Sequence, residues 1–267
     1  MQSMYFDLMD KPVKSVKKLS LDYYRSPFVG LVTYEDGLKV VVKEIHDSGS
    51  DEINILKKIG EHPNIIPSVA LFDVFENQGK PLIESVQKYL DQSSKKIVLT
   101  KFYQGKDLRY FDHPSENHFR YLIARDIAAA LEHIHSLRIV HADIKPPNVM
   151  FECNGQYKSA VLTDFDGAVY LGNRSQKRIL KEPKKTFEPF EQVYDGQVSL
   201  KSDIFSLGVL IHFMEKGETP TFEELHLGVE LAPLKNRTVD ELVRNMLKKD
   251  YRKRPSAKEV KEVLSEL

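Results

Sequence analysis

The hydrophobic pattern changes period near Gln104-Gly105, and that change constrains the fold more than any other feature of the chain. Before it, apolar residues come in short β-branched and aromatic runs, at 28–45, 68–75 and 97–103. After it, they recur three and four apart, as Phe119, Ile123, Ile127, Leu131 and Ile134 do. The first pattern buries one face of a strand and the second one stripe of a helix. A small β-rich part followed by a larger helical part is an α+β arrangement, about 1–103 and 104–267 of one domain.

Local signals sharpen this outline. Asp36-Gly37 sits between two β-branched runs, which predicts a hairpin. Ser48 to Ser50, then Asp51-Glu52, open a helix that Gly60 ends. Pro81–Gln92 spaces Leu82, Val86 and Leu90 as an amphipathic helix. The long helix after residue 115 is expected to be capped by Ser115. Short strands are expected at Val149–Glu152 and Ala160–Leu162, around Asn154-Gly155. Residues 202–215 read as a buried helix, and capping boxes at Thr238–Glu241 and Ser256–Glu259 open the last two.

Composition narrows the function classes. Apolar residues make up 41% of the 267, enough for a core, and 39 basic residues balance 39 acidic ones. Zero net charge gives no reason to expect direct nucleic-acid binding. One cysteine, Cys153, forms no internal disulfide, and no apolar run approaches the ~18–20 residues of a membrane span. Asp7 and Asp10 interrupt the stretch a secretory leader would need. The expectation is a cytoplasmic protein without a membrane span.

Two segments carry chemistry. Residues 141–150 read HADIKPPNVM and residues 161–168 read VLTDFDGA. They resemble the protein-kinase catalytic loop, H-R-D-L-x-x-x-N, and the D-F-G metal motif. Other matches follow in order. Val40-Val41-Val42-Lys43 resembles the family's lysine strand, and Glu52 its helical partner. Ser202–Gly208 resembles the buried aspartate helix, and Arg252–Pro255 the C-terminal arginine motif. The chain is thereby similar to eukaryotic-type Ser/Thr protein kinases over residues 28–266.

The resemblance implies a two-lobed kinase fold using ATP and Mg²⁺, with ATP between the lobes. Phosphoryl transfer needs positioning and charge neutralisation rather than covalent help. Lys43 is implied to hold the α- and β-phosphates, and Glu52 to fix its ammonium. Asp143 is implied to take the acceptor proton and Lys145 to neutralise the moving group. Asn148 and Asp164 are implied metal ligands. Thr100 is placed as gatekeeper of an open back pocket, with Lys101, Phe102 and Tyr103 beside adenine and Asp107 beside the ribose. Gly30, Val32, Val41 and Met150 complete the implied nucleotide contacts. Lys145 implies a protein substrate with a Ser or Thr acceptor. His141 is implied to brace Phe165, and Glu191 to pair with Arg254.

The chain also departs from the family. The nucleotide-covering loop, aligned on Arg25–Val32, keeps only Gly30 and Val32 of its pattern. Ala142 replaces the arginine that reads an activation-loop phosphate, so switching is expected not to depend on phosphorylation at Tyr170, Ser175 or Thr186. Asp166 stands in the glycine position, where aspartate tolerates a left-handed backbone but not freely, so a less mobile metal loop with a local backbone or capping role for Asp166 is expected, an extra metal ligand being the alternative. Six basic residues against one acid at 174–185 offer a docking strip for an acidic partner. The insert at 76–96 offers another partner surface. Compact kinases of this sort occur among viral and pathogen-encoded enzymes. Two rival readings remain open: an ATP-binding scaffold without transfer, and a small-molecule phosphotransferase.

Overall fold

The computed structural model describes residues 7–19, 27–45, 50–66, 68–91, 96–112, 119–172, 176–177 and 187–267, with the backbone alone at 50–53, 68–69 and 176–177. The chain divides into two compact units, Met1–Leu56 with Ile66–Tyr103, and Lys57–Ile65 with Gln104–Leu267.

The first unit is built on a five-stranded antiparallel sheet. Its strands are β1 (Val13–Lys18), β2 (Val29–Tyr34), β3 (Lys39–Ile45), β4 (Ser68–Asp73) and β5 (Lys96–Lys101), ordered β1-β2-β3-β5-β4. The β2–β3 hairpin turns at Asp36-Gly37 as expected. Gly37 takes φ +85°, which glycine reaches without a side-chain clash, and Asp36 Oδ1 accepts from the Leu38 amide at 3.0 Å. Alternation along β2 and β3 sends Val32, Tyr34, Val40 and Val42 into the core. Strand β1 has no counterpart in the sequence expectations.

The helix expected at 50–60 is α1 (Ser50–Ile59), and Gly60 follows it at φ +67°. The inserted helix is shorter than its pattern: α2 spans Pro81–Gln87 and stops before Leu90. Its side chains Leu82, Ile83 and Val86 are fully buried in the sheet's core. The apolar face of the insert is therefore used by this unit itself.

The second unit is mainly helical. Helix α3 (Arg120–Ser136) buries Ile123, Ile127, Leu131 and Ile134 on one face, as their spacing requires. Phe119 occupies its N-cap position, and Ser115 lies outside the described residues. A short strand β6 (Lys106–Asp107) pairs with β8 (Val149–Cys153), which pairs with β9 (Tyr157–Leu162). Short pairs join β7 (Ile139–Val140) to β10 (Val169–Tyr170), and β11 (Gln176–Lys177) to β12 (Gln197–Val198). Helix α4 (Phe190–Asp195) precedes α5 (Leu200–Lys216), the buried helix expected at 202–215.

Helix α5 opens with a capping box between Ser199 and Ser202 that the sequence reading did not find. Helix α6 (Arg237–Met246) starts earlier than the Thr238–Glu241 pattern proposes. Asn236 caps it, its side-chain oxygen accepting from the amides of Thr238 and Val239 at 2.9 and 3.2 Å. The Ser256–Glu259 box opens α7 (Ala257–Ser265) as expected. Helix α3 packs on α7, α5 and β9. Among the described residues, no helix is long and apolar enough to cross a membrane.

Candidate active site

Two loops of the second unit are tied at both ends. Residues 141–148 leave β7 and enter β8, and residues 163–168 leave β9 and enter β10. Because β8 pairs with β9 and β10 with β7, each loop starts and ends beside the other. The Thr163 amide donates to the Asn148 carbonyl at 2.9 Å, extending the ladder into the loops.

The Asp143 carboxylate lies at the centre. The Lys145 ammonium donates to its Oδ2 at 2.7 Å. The Asn148 side-chain nitrogen donates to the same oxygen at 3.1 Å and to the Asp143 carbonyl at 2.8 Å. Asp143 and Lys145 are half-buried, whereas Asn148 is buried. With its amide nitrogen committed to Asp143, Asn148 keeps its Oδ1 as the acceptor end.

Asp203, at the start of α5 and 1% exposed, holds the bend that presents this group. Its Oδ2 accepts from the His141 amide at 2.9 Å and its Oδ1 from the Ala142 amide at 2.8 Å. His135 Nε2 lies 2.9 Å from Oδ2. Ala142 between them takes φ +60°, a left-handed backbone that costs a residue with a Cβ on the order of 1 kcal/mol. Two charge-assisted hydrogen bonds offset that cost.

His141 braces the neighbouring loop. Its Nε2 lies 3.0 Å from the Thr163 carbonyl, and its ring meets the buried Phe165 ring edge-on at 4.8 Å. Asp164, half-buried between Thr163 and Phe165, sits at φ +63°. The left-handed backbone of this loop thus falls at Asp164, two residues before Asp166. Asp166 is exposed in a turn closed by the Ala168 amide donating to the Phe165 carbonyl at 3.0 Å.

The Glu191–Arg254 pair is present and buried. Its two hydrogen bonds measure 2.7 and 2.9 Å, and the Arg254 side chain is 0% exposed. Arg254 also donates to the carbonyls of Lys248 and Lys201, and Ser202 Oγ donates to Glu191. Both charged groups are thereby hydrogen-bonded beyond their mutual pairing, which a buried ion pair requires.

In the first unit, Lys43 lies on β3 between Val29 of β2 and Val98 of β5, on the same half-buried face as Val41. Thr100 faces Val41 across the β3–β5 pairing, half-buried. Lys101 is exposed, and Phe102 and Tyr103 are half-buried after β5, with the Lys39 ammonium 5.5 Å from the Phe102 ring centre. The Glu52 side chain lies outside the described residues. In the second unit, half-buried Met150 faces Asp107 across β6–β8. The Asp107 carboxylate is engaged by Arg109 at 2.8 and 3.0 Å, and it also caps the next turn through the Arg109 amide.

Two expected nucleotide contacts are corrected. Gly30 lies inside β2, paired with Lys18 of β1 and Val42 of β3. Its missing Cβ makes room for the Phe28 ring, whose nearest atom would lie 2.3 Å from a Cβ placed there. Tyr89, just after α2, stacks on that ring at 5.1 Å. Val32 is 0% exposed on the core face, opposite to the face of Lys43. The connection that precedes β2 is therefore 19–28, and it contains no glycine. Of the basic stretch 174–185, only the backbone of β11 is described; Ser175 and Thr186 also lie outside the described residues.

Three buried acids do more than the sequence reading assigns them. Asp203 was placed as buried but not as the loop's anchor. Glu44, 3% exposed, accepts at 2.8 Å from the amides of both Phe28 and Asp91. Asp126 accepts from the Tyr157 hydroxyl at 2.5 Å and the Ala160 amide at 3.1 Å. A signal exists for the last two: Glu44 continues the inward alternation of Val40 and Val42, and Asp126 lies on the apolar face of α3.

The sequence matches the protein kinase domain family model over residues 35–264. It is 28% identical over 225 residues to a calcium/calmodulin-dependent protein kinase kinase of Caenorhabditis elegans, covering 79% of this chain and 38% of that protein. It is 28% identical over 245 residues to ribosomal protein S6 kinase alpha-1 of Rattus norvegicus, covering 85% and 31%. Calcium-dependent protein kinase 6 of Plasmodium berghei is 27% identical over 220 residues, covering 78% and 14%. The chain thus spans well under half the length of these relatives. With the family's motifs on an antiparallel sheet unit and a helical unit, the chain belongs to the protein kinase domain family and has its α+β fold.

Proposed function

We propose that this chain is an ATP- and Mg²⁺-dependent Ser/Thr protein kinase. The observation that carries the reading is Asp143, whose Oδ2 is held by Lys145 at 2.7 Å and Asn148 at 3.1 Å. A carboxylate oriented this way can accept a proton from an acceptor hydroxyl. As that oxygen bonds to the γ-phosphorus, the bond to the bridging oxygen breaks, ADP leaves, and Asp143 takes the hydroxyl proton. Lys145 then neutralises charge on the transferring group. A lysine at this position, two residues after the aspartate, favours serine or threonine as acceptor. Lys43 is assigned to the α- and β-phosphates.

The residues present fit a magnesium site. Asn148 Oδ1 and the Asp164 carboxylate offer the oxygen donors a hard cation takes. The ion, when bound, supplies charge neutralisation at the phosphate oxygens. Ala142 in place of an arginine supports activity that does not depend on loop phosphorylation. The glycine-free connection 19–28 favours a second reading, an ATP-binding scaffold without transfer.

The test is incubation with labelled ATP, Mg²⁺ and generic protein substrates beside Asp143→Asn. Label incorporated by the wild type and reduced about 10²–10⁴-fold in the variant is the expected result. ATP binding without transfer supports the scaffold. Replacing Tyr170, Ser175 and Thr186 together is expected to leave turnover unchanged; a large loss overturns independence from loop phosphorylation.

A further inference from the structure

The peptide that joins Ala142 to Asp143 sets where the Asp143 carboxylate points, because a planar peptide turns only about the two single bonds that flank it. Both of its polar ends are engaged. The Asp143 amide donates to His141 Nδ1 at 3.3 Å. Nδ1 is therefore an acceptor, and Nε2 carries the hydrogen that meets the Thr163 carbonyl at 3.0 Å. At the other end, the Ala142 carbonyl accepts from Gln192 Nε2 at 3.4 Å. Gln192 is 2% exposed, and a side-chain amide is costly to bury unless it is hydrogen-bonded.

Gln192 reaches that carbonyl from a fixed base. It follows Glu191 in α4, and Glu191 accepts twice from Arg254 and once from Ser202. The tether therefore ties the peptide to the buried frame of the second unit. Ala142 cannot brace this bend with a polar side chain of its own. Its methyl group, 7% exposed, packs with Val140, Leu171 and Val198. Its amide is held instead by Asp203 Oδ1 at 2.8 Å, and its carbonyl by Gln192.

We propose that Gln192 is a positioning residue for phosphoryl transfer, holding the Ala142–Asp143 peptide so that the Asp143 carboxylate faces the acceptor hydroxyl. The inference rests on the kinase reading and deepens it. Gln192 touches none of the reacting atoms and acts through Asp143. Without its donor the peptide gains freedom to rotate, and the carboxylate spends less time aligned for proton transfer. The nucleotide contacts are assigned to other residues, so binding of ATP does not depend on this bond.

The test is a double-mutant cycle on the full chain with Gln192→Met, Asp143→Asn and the pair. It is read as single-turnover transfer of labelled phosphate to a serine peptide. Methionine keeps the side-chain length and removes the donor. A bond of 3.4 Å lies at the long end of the hydrogen-bond range, so its loss should slow transfer by about threefold to tenfold, with KM for ATP within about twofold of wild type. In the Asp143→Asn background, Gln192→Met should slow transfer by less than about twofold further, because the group it positions is gone. Rates are taken at a temperature where melts show each variant folded. If Gln192→Met does not fold, Gln192→Glu takes its place, keeping the shape while setting an acceptor against the Ala142 carbonyl. An equal loss in both backgrounds, or no loss in either, overturns the positioning role, while the effect of Asp143→Asn leaves the kinase reading standing. No transfer by the wild type overturns the kinase reading. The tether is then judged by hydrogen exchange over residues 139–145, which Gln192→Met should speed without changing α7. Unchanged exchange there overturns the tether as well.

Discussion

Glu44 in the first unit and Asp203 in the second use the same device to different ends. Each is a carboxylate buried to 3% or less, and each accepts from two backbone amides at 2.8–2.9 Å. The amides held by Glu44 are 63 residues apart, at Phe28 and Asp91, so it joins the start of β2 to the end of the insert. Those held by Asp203 are consecutive, at His141 and Ala142, so it clamps one left-handed bend. One carboxylate secures architecture, and the other holds the geometry of a chemical site. Two buried acids of equal local strength should therefore fail differently when removed.

The largest expected effect lies beside Asp203 and calibrates the comparison. Arg254→Ala leaves Glu191 buried without its two guanidinium bonds, which should destabilise the second unit by about 3–5 kcal/mol. Denaturant melts report the loss. Hydrogen exchange should place it in α4, α5 and the 248–254 segment, with the first unit's sheet unaffected. Uniform deprotection of both units would show that they do not unfold separately.

Asp203→Asn comes next. An asparagine cannot accept from both amides, because one of its side-chain atoms becomes a donor facing another donor. A loss of about 1–3 kcal/mol follows from one unsatisfied amide. Turnover should fall as well, measured at a temperature where the variant remains folded, because Ala142 at φ +60° loses an anchor. Glu44→Ala should cost a similar 1–3 kcal/mol, appearing as faster exchange at β2 and the end of α2. Its kcat at saturating substrate should stay within about twofold of wild type. If Glu44→Ala reduces kcat as much as Asp203→Asn, the division between architectural and site anchors is wrong.

The same contrast explains what the sequence made legible. The second unit's chemistry resides in contiguous words, HADIKPPN and TDFD, so position and residue type are read together. The Glu191–Arg254 pair was legible because both partners belong to such words. The first unit offered no comparable word around its connection. Gly30 resembled a phosphate-binding glycine, but it is required by the Phe28 ring that folds onto it. A single sequence cannot separate those two reasons for lacking a Cβ. Strand β1 escaped notice because VKSVKK is an edge strand with only Val13 and Val16 packed on the core. Helix α2 ends early because the chain tightens after Gln87, the amides of Tyr89 and Leu90 donating three residues back to the carbonyls of Val86 and Gln87, so that Leu90 packs on the core from beyond the helix. At the start of α6, Asn236 won over Thr238 because its oxygen reaches two amides at once.

The smallest expected effect concerns neutral histidines in the second unit. His226 is buried among Phe190, Tyr194, Phe205 and Phe222, and His212 is buried in α5. Burial holds both below the ordinary histidine value of 6.5, with the Glu188 backbone opposing at His226 and the Glu218 backbone opposing at His212. Each therefore binds its proton more readily unfolded than folded. Between 6.5 and the lower folded value the unfolded chain carries more protons, so stability falls as pH falls through that window. The slope is at most about 1.4 kcal/mol per pH unit for each ring. Carboxylates held low, such as Asp240 beside Arg244 and Glu259 under its Ser256 cap, are lost only further down, below the ordinary range of 3.8 to 4.5. Melts between pH 7.5 and 5.5 should show the second unit weakening first, and His226→Leu should flatten that limb. The first unit's sheet, whose buried acid Glu44 is no histidine, should melt at nearly the same point across the range. An equal acid limb in both units would trace the sensitivity to groups outside the aromatic cluster.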